Sequence, residues 1–111
     1  MQLYRSTTPD SLLEAVEKMK LNGYRLAQIS VTKKDTMDII YSFIKEQDMI
    51  HVRMEITPGQ EIESVSGIYP YAFLYENEMK DLFGVKVLNI SVDYGGHFYK
   101  LKTTGTGKTP Y

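Results

Sequence analysis

The 111-residue chain contains no cysteine and no tryptophan, and its charges nearly balance at a formal net charge of −1. Without cysteine, the chain forms no disulfide, supplies no thiolate nucleophile and offers no sulfur ligand to zinc or to an iron–sulfur cluster. The small net charge provides no long-range attraction to nucleic acid or to an anionic membrane. The composition therefore excludes thiol chemistry and argues against a nucleic-acid partner.

Long apolar runs are also missing. The N-terminal stretch MQLYRSTTPD has no apolar core of signal-peptide length. No stretch approaches the roughly 18 apolar residues that a membrane-spanning helix needs. We therefore expect a cytosolic protein that does not insert into the membrane and reaches it only through partner proteins.

The sequence contains start and stop signals for two helices. The first follows Thr8 and Pro9, because Thr caps a helix and Pro suits its first turn. Apolar residues then recur at three-four spacing until Gly23, a typical C-terminal stop. The second helix is predicted to begin at Pro70 and to end at Gly84.

Three segments between these helices have strand character: YRLAQISVTKK, MDIIYSFIKE and MIHVRMEIT. The third alternates apolar and polar residues, whereas the second is more continuously apolar and is also compatible with a helix. A last strand is predicted in VKVLNISV. This order predicts one compact α+β domain over residues 1–100, with a mostly antiparallel three- to four-stranded sheet packed with two main helices, and a flexible tail at 101–111.

The stretch AFLYENEMKDLFGV places three carboxylates beside aromatic residues. On a helical wheel, one stripe collects Tyr75, Met79, Leu82 and Phe83. Glu78 and Asp81 border that stripe on one side, and Glu76 borders it on the other. Glu76 can pair there with Lys80, and Asn77 lies on the far, polar side. The three acids therefore do not converge on one point.

This arrangement argues against chemistry at the acids. Two-carboxylate catalysis needs a substrate between acid and base, so another element would have to close over Glu78 and Asp81. A metal site lacks further ligands, because His51 lies on the exposed side of a strand and His97 in a glycine turn. We predict no catalytic, metal-binding or cofactor-binding residue on this chain. Acids beside an aromatic stripe are instead well placed to meet Arg or Lys of another protein.

Near the C-terminus, Gly105–Thr109 spell GTGKT, the end of a phosphate-binding loop. The full motif needs a glycine where Lys102 stands and a helix where only Pro110 and Tyr111 follow. We therefore interpret GTGKT as a chance match. The nearby DYGGHFYKLK interleaves aromatic residues with two lysines, which are too few for a nucleic-acid stacking platform.

The segment SVSGIYPYAFLYENEMKDLFGV resembles the 30-kDa subunit family of respiratory complex I, whose relatives also occur in membrane-bound, energy-converting nickel–iron hydrogenases. The family pattern runs roughly Ser-Val, a Phe-Pro or similar step, an aromatic residue, Glu-Arg-Glu, then Asp, two apolar residues and Gly-Ile. The positions that match in register are Ser64, Val65, Tyr69, Pro70, Tyr75, Glu76, Glu78, Asp81, Leu82, Phe83, Gly84 and Val85. The resemblance covers about residues 37–88.

Two departures from the family pattern point to one branch of it. Asn77 stands where the family usually has Arg between the two glutamates. After Gly84, VKVLNISVDYGG replaces the His-Pro-Asp-Leu-Arg-Arg segment that is common in complex I. Together with the short chain, these departures favour the compact hydrogenase-type relatives, and among them the D-subunit type of energy-converting (Ech-type) hydrogenases.

The resemblance implies a non-catalytic accessory subunit without a cofactor, and no activity is expected of the isolated chain. Its partners would be the nickel–iron large subunit, which it would clamp, and the iron–sulfur small subunit of the same complex. Those and other subunits would perform ferredoxin-linked hydrogen evolution and ion translocation, and the chain would lie peripherally on the cytoplasmic face of the membrane. The implied interface residues are Tyr75, Glu76, Asn77, Glu78, Asp81, Phe83 and Gly84.

Three questions stay open on the sequence alone. The acids of the motif can pair with Arg or Lys either across a subunit interface or within the fold. The chain can equally be the corresponding subunit of a quinone- or ferredoxin-linked complex I. A different class of function, a small carboxylate-dependent hydrolase, requires a cleft lined by both Glu78 and Asp81.

Overall fold

The computed structural model describes residues 1–91. Its main sheet consists of four strands: β1 (Gln2–Thr7), β2 (Arg25–Lys33), β3 (Met37–Lys45) and β4 (Asp48–Ile56). Strands β2, β3 and β4 are antiparallel neighbours, and β1 pairs in parallel with β4. The strand order is therefore β1-β4-β3-β2, with β1 and β2 at the edges.

Two helices and a small second sheet complete the fold. A short 3-10 turn at Pro9–Ser11 leads into α1 (Leu12–Leu21). Strand β5 (Glu61–Glu63) precedes α2 (Ala72–Phe83), and β6 (Lys86–Leu88) follows it and pairs in parallel with β5. This architecture confirms the predicted α+β fold with a mostly antiparallel sheet and two main helices.

The core lies between one face of the main sheet and the two helices. The alternation predicted in β4 is confirmed, because its inward-facing residues are at most 4% exposed: Ile50, Val52, Met54 and Ile56. The residues that meet them from β3 and α1 are Met37, Ile39, Tyr41, Phe43, Leu12, Val16 and Met19. Ala72 and Met79 extend the same core onto α2. Both helices are therefore held against the sheet by their apolar faces.

The helix ends follow the sequence signals more closely at the C-termini than at the N-termini. α1 begins at Leu12 rather than near Thr8, because Pro9–Ser11 forms the 3-10 turn and Thr8 makes no side-chain cap hydrogen bond. α2 begins at Ala72, two residues after Pro70. Gly23 and Gly84 follow α1 and α2 with φ values of 84° and 68°, which suit glycine and end the helices as predicted.

Parts of the sheet differ from the prediction. The sequence gives no signal for β1, because residues 2–6 are exposed and show no apolar alternation; the strand forms by pairing with β4. MDIIYSFIKE is strand β3, so the helical alternative is wrong. Only Lys86–Leu88 of the predicted last strand is assigned as β6. The predictions for the tail at 101–111, for GTGKT and for DYGGHFYKLK lie outside the described residues.

Candidate functional site

Glu76, the first acid of the motif, is completely buried, at 0% exposure. Its carboxylate accepts hydrogen bonds from Ser64 Oγ at 2.6 Å and from the Val65 backbone N–H at 2.7 Å. Ser64 Oγ also lies 2.6 Å from Ser66 Oγ and accepts a bond from the Ser66 N–H at 3.0 Å. The carboxylate therefore ties the segment after β5 to α2, entirely within the fold.

The helical wheel was wrong about Glu76 and Asn77. Glu76 does not sit at a solvated border paired with Lys80, because the segment of residues 64–66 folds against α2 and supplies its donors. Asn77 is 1% exposed rather than on a polar outer side, and its Nδ2 donates to the Phe73 carbonyl at 2.8 Å. A wheel shows only the helix itself, so it could not show which neighbouring segments cover it.

The burial of Glu76 has an electrostatic consequence. Desolvation raises the pKa of the Glu76 carboxyl, although the hydrogen bonds from Ser64 and Val65 act in the opposite direction. Tyr41, on β3, is also fully buried, and burial together with the nearby Glu76 charge raises the pKa of its hydroxyl far above the usual value. Among the described residues, Tyr41 Oη has no hydrogen-bond partner. Compared with water, this pocket therefore shifts the pKa equilibrium of Glu76 toward its neutral form.

We expect Glu76 to make stability fall as pH rises. Its pKa is raised above the ordinary value of 4.5, so the folded chain binds the proton more tightly than the unfolded chain. The resulting stabilisation is complete below pH 4.5 and is lost as pH rises through the folded-state pKa. Unfolding midpoints in urea can be measured between about pH 4 and pH 8 for the unsubstituted chain and for Glu76→Gln. As pH rises, the midpoint of the unsubstituted chain should fall relative to that of Glu76→Gln. A difference that does not change with pH would contradict this assignment.

The outward side of α2 has a different character. Glu78 and Asp81 are half-buried, and three large apolar residues around them are exposed: Tyr71 at 76%, Leu74 at 38% and Leu82 at 46%. Leu74, Glu78 and Asp81 follow three-four spacing and share one face of the helix. The stripe drawn on the wheel is therefore only partly inward, since Met79 is buried but Leu82 is not.

A groove of about 360 Å³ runs between α2 and strand β2. Its lining includes Gln28, Ser30 and Val31 from the strand and Tyr75, Glu78 and Leu82 from the helix. The hydroxyl of Tyr75 donates to the Ala27 carbonyl at 3.0 Å, where the pairing of β2 with β3 is interrupted by a bulge. This bond and the apolar contacts of Met79 fix the position of α2 against the sheet. Phe83 is half-buried at the end of the groove, and Gly84 ends the helix.

Three residues that organise this region, Ser64, Val65 and Tyr41, could not be assigned this role from the sequence. Ser64 and Val65 were noted only as matches to a family pattern, and their bonds to Glu76 span eleven or twelve residues of sequence. Tyr41 gave no signal at all, since its position in an apolar strand predicts only that it is buried. Among residues 1–91, no group of three or more His, Cys, Asp or Glu side chains could hold a metal ion.

Comparison with known proteins decides the family. The model of the family described as the 30-kDa subunit of the respiratory-chain NADH dehydrogenase matches residues 6–91. The chain belongs to this family. The family match contains the Ser64, Val65 and Glu76 cluster and the whole of α2.

Individual relatives within the family are distant. NADH dehydrogenase (ubiquinone) iron-sulfur protein 3 of Arabidopsis thaliana is 26% identical, and the alignment covers 82% of this chain and 57% of that protein. The C-subunit of NADH-quinone oxidoreductase of Jannaschia sp. strain CCS1 is 30% identical, over 65% of this chain and 40% of that one. The chain thus spans about half the length of these curated relatives.

The fold is also found in a solved structure. A chain of the membrane-bound sulfane sulfur reductase, an archaeal respiratory membrane complex, superposes with a TM-score of 0.73 at 20% identity. The match covers 80% of this chain and 58% of that chain. Within residues 1–91 of the present protein, no helix is long and apolar enough to cross a membrane.

Proposed function

We propose that the chain is a non-catalytic subunit of a membrane-bound oxidoreductase complex, where it clamps a large catalytic subunit and carries no cofactor. The observation that carries this proposal is the family match over residues 6–91, which includes every described helix and every strand except most of β1. A curated relative in this family is itself named as the C-subunit of an NADH-quinone oxidoreductase.

The outward side of α2 is the surface that we propose for the large subunit. Exposed aromatic and aliphatic side chains interspersed with charge are typical of protein–protein interfaces, and Tyr71, Leu74 and Leu82 provide them. Glu78 and Asp81 lie on the same side and would meet Arg or Lys of the partner. Buried Glu76 and Asn77, in contrast, would act indirectly by holding the helix in place.

Within this family we propose the hydrogenase branch, as the D-subunit type of an energy-converting nickel–iron hydrogenase. The support is the residue at position 77 and the sequence after Gly84. Asn77 occupies a closed site at 1% exposure, where a family-type Arg would be a buried charge that needs a new partner. Membership of a quinone- or ferredoxin-linked complex I is the alternative, and the same family match supports it.

Co-purification tests the proposal. The tagged chain, expressed in its native cells, should recover an iron–sulfur subunit and a large subunit from detergent-solubilised membranes. Nickel in the recovered complex would support the hydrogenase branch, whereas recovery of complex I subunits without nickel would assign the alternative. A chain recovered without any such subunits would overturn the proposal.

Charge reversal tests the surface. Glu78→Lys with Asp81→Lys should reduce recovery of the large subunit by about tenfold, because two favourable charge contacts become repulsive. This loss of recovery should exceed any loss of thermal stability in the isolated variant. Glu17→Lys with Asp35→Lys changes the net charge equally at exposed positions on other elements and serves as the matched control. If the isolated Glu78 and Asp81 variant loses thermal stability to the same extent as it loses partner recovery, these acids have an internal role instead.

The hydrolase alternative gains no support from the geometry. It requires a cleft lined by both Glu78 and Asp81, and the groove beside α2 is lined by Glu78 but not by Asp81. The outward direction of these acids suits a partner surface better than an enclosed substrate.

A further inference from the structure

Within residues 1–91, strand β1 leaves one edge of the main sheet open. It is the terminal strand in the order β1-β4-β3-β2, and β4 is its one neighbour in the described part of the chain. The Met49 N–H donates to the Met1 carbonyl, and Leu3 is aligned with Ile50. In a parallel pair, alternate residues direct both backbone groups to the neighbour, so the residues between them direct theirs away. The N–H and C=O groups of Gln2, Tyr4 and Ser6 therefore point outward from the sheet.

The two edges of the sheet are protected very differently. β2, at the opposite edge, is interrupted by a bulge between Leu26 and Gln28, and α2 packs against it with the Tyr75 hydroxyl on the Ala27 carbonyl. Natural sheets block their edges with such bulges, with Lys or Pro, or with a covering helix. β1 has the sequence QLYRST, with neither Lys nor Pro, and its pairing with β4 is regular. In the part of the chain that the structure describes, the edge that can accept a further strand is therefore the one at β1.

A groove of about 240 Å³ lies beside this edge, between β1 and α1. Its apolar floor includes Val52 and Met19, and Arg5 and Lys18 line it together with Glu14. Lys18 pairs with Glu14 at 3.5 Å, whereas within residues 1–91 Arg5 forms no ion pair. Within residues 1–91, the positive charge of Arg5 in this groove is therefore not compensated by an ion pair. If a further strand were added to β1, every second side chain of that strand would point toward the groove.

We propose that β1 is a docking edge for an extended segment of a partner protein, which adds as a fifth strand and places an acidic side chain beside Arg5. Backbone hydrogen bonds to Gln2, Tyr4 and Ser6 would provide the binding, and the groove would accept an acidic side chain beside Arg5 from the face of the added strand that points toward α1. This inference rests on the proposed function, since it assumes a protein partner. The family match begins at residue 6, so it does not include residues 2–5 of β1.

A proline at position 6 tests the edge directly. Ser6→Pro removes an N–H that points outward and leaves the pairing of β1 with β4 intact, because Pro is tolerated at such edge positions. We expect the isolated variant to keep its melting temperature within a few degrees and the recovery of partner subunits from membranes to fall by about tenfold. Ser6→Ala, which keeps the N–H, should behave like the unsubstituted chain.

A second substitution keeps the test informative if Ser6→Pro unfolds. Arg5→Glu should weaken partner recovery through charge reversal, whereas Lys33→Glu on the opposite edge strand should not. If the unsubstituted chain recovers no partner, the proposed function fails. If it recovers partners and folded Ser6→Pro and Arg5→Glu recover them equally well, only the docking edge is overturned. A dimer of the isolated chain that Ser6→Pro dissociates would replace the partner segment with a second copy of this chain.

Discussion

Replacing Glu76 with alanine is expected to lower the free energy of unfolding by about 3–5 kcal/mol. The substitution leaves the Val65 N–H buried without its acceptor, which costs about 1–3 kcal/mol, and it leaves Ser66 Oγ as the remaining side-chain partner of the Ser64 hydroxyl. It also leaves a void at a position with 0% exposure, which adds to the loss. Urea unfolding followed by circular dichroism measures this change.

Two further variants separate the hydrogen bonds from the charge. Glu76→Gln should cost much less at pH 4.5 or below, because its amide oxygen can accept from Val65 and its NH₂ group can donate to Ser64 Oγ. Glu17→Ala, on the exposed side of α1, should leave stability nearly unchanged. A loss in Glu76→Ala as small as that in Glu17→Ala would mean that the carboxylate does not hold the segment of residues 64–66 to the helix.

This cluster shows why part of the site could not be predicted from the sequence. The ends of α2 follow from Pro70 and Gly84 to within two residues, since proline and glycine act through local backbone geometry. The environment of Glu76 depends instead on Ser64 and Val65, which reach it through the tertiary fold. The residues next to a glutamate in a helix can be the same whether its carboxylate is buried by distant donors or exposed to solvent, so the local sequence does not distinguish the two cases.

The strands of the main sheet differ in the same way. β4 could be predicted because one of its faces is buried, which imposes the apolar alternation from Ile50 to Ile56. β1 is almost wholly exposed and is held mainly by backbone bonds to β4, which leave no signature in side-chain chemistry. The resemblance of residues 64–85 to a known family identified the protein class, but it did not show which acids face a partner.

Two substitutions of Tyr41 are expected to change the free energy of unfolding in opposite directions. Tyr41→Ala should cost about 3–5 kcal/mol, because a fully buried aromatic ring is lost from the core. Tyr41→Phe should instead raise stability by about 1 kcal/mol, since it removes a desolvated hydroxyl that has no partner among the described residues. Thermal and urea unfolding of both variants measure the two effects.

Tyr69→Phe provides the matched control, because the Tyr69 hydroxyl donates to the Tyr24 carbonyl at 2.6 Å and its loss should destabilise by about 1 kcal/mol. If Tyr41→Phe destabilises the chain as Tyr69→Phe does, the Tyr41 hydroxyl is hydrogen-bonded in the folded protein. A loss that disappears when Glu76 is already Ala would then identify the Glu76 carboxyl as the partner of that hydroxyl.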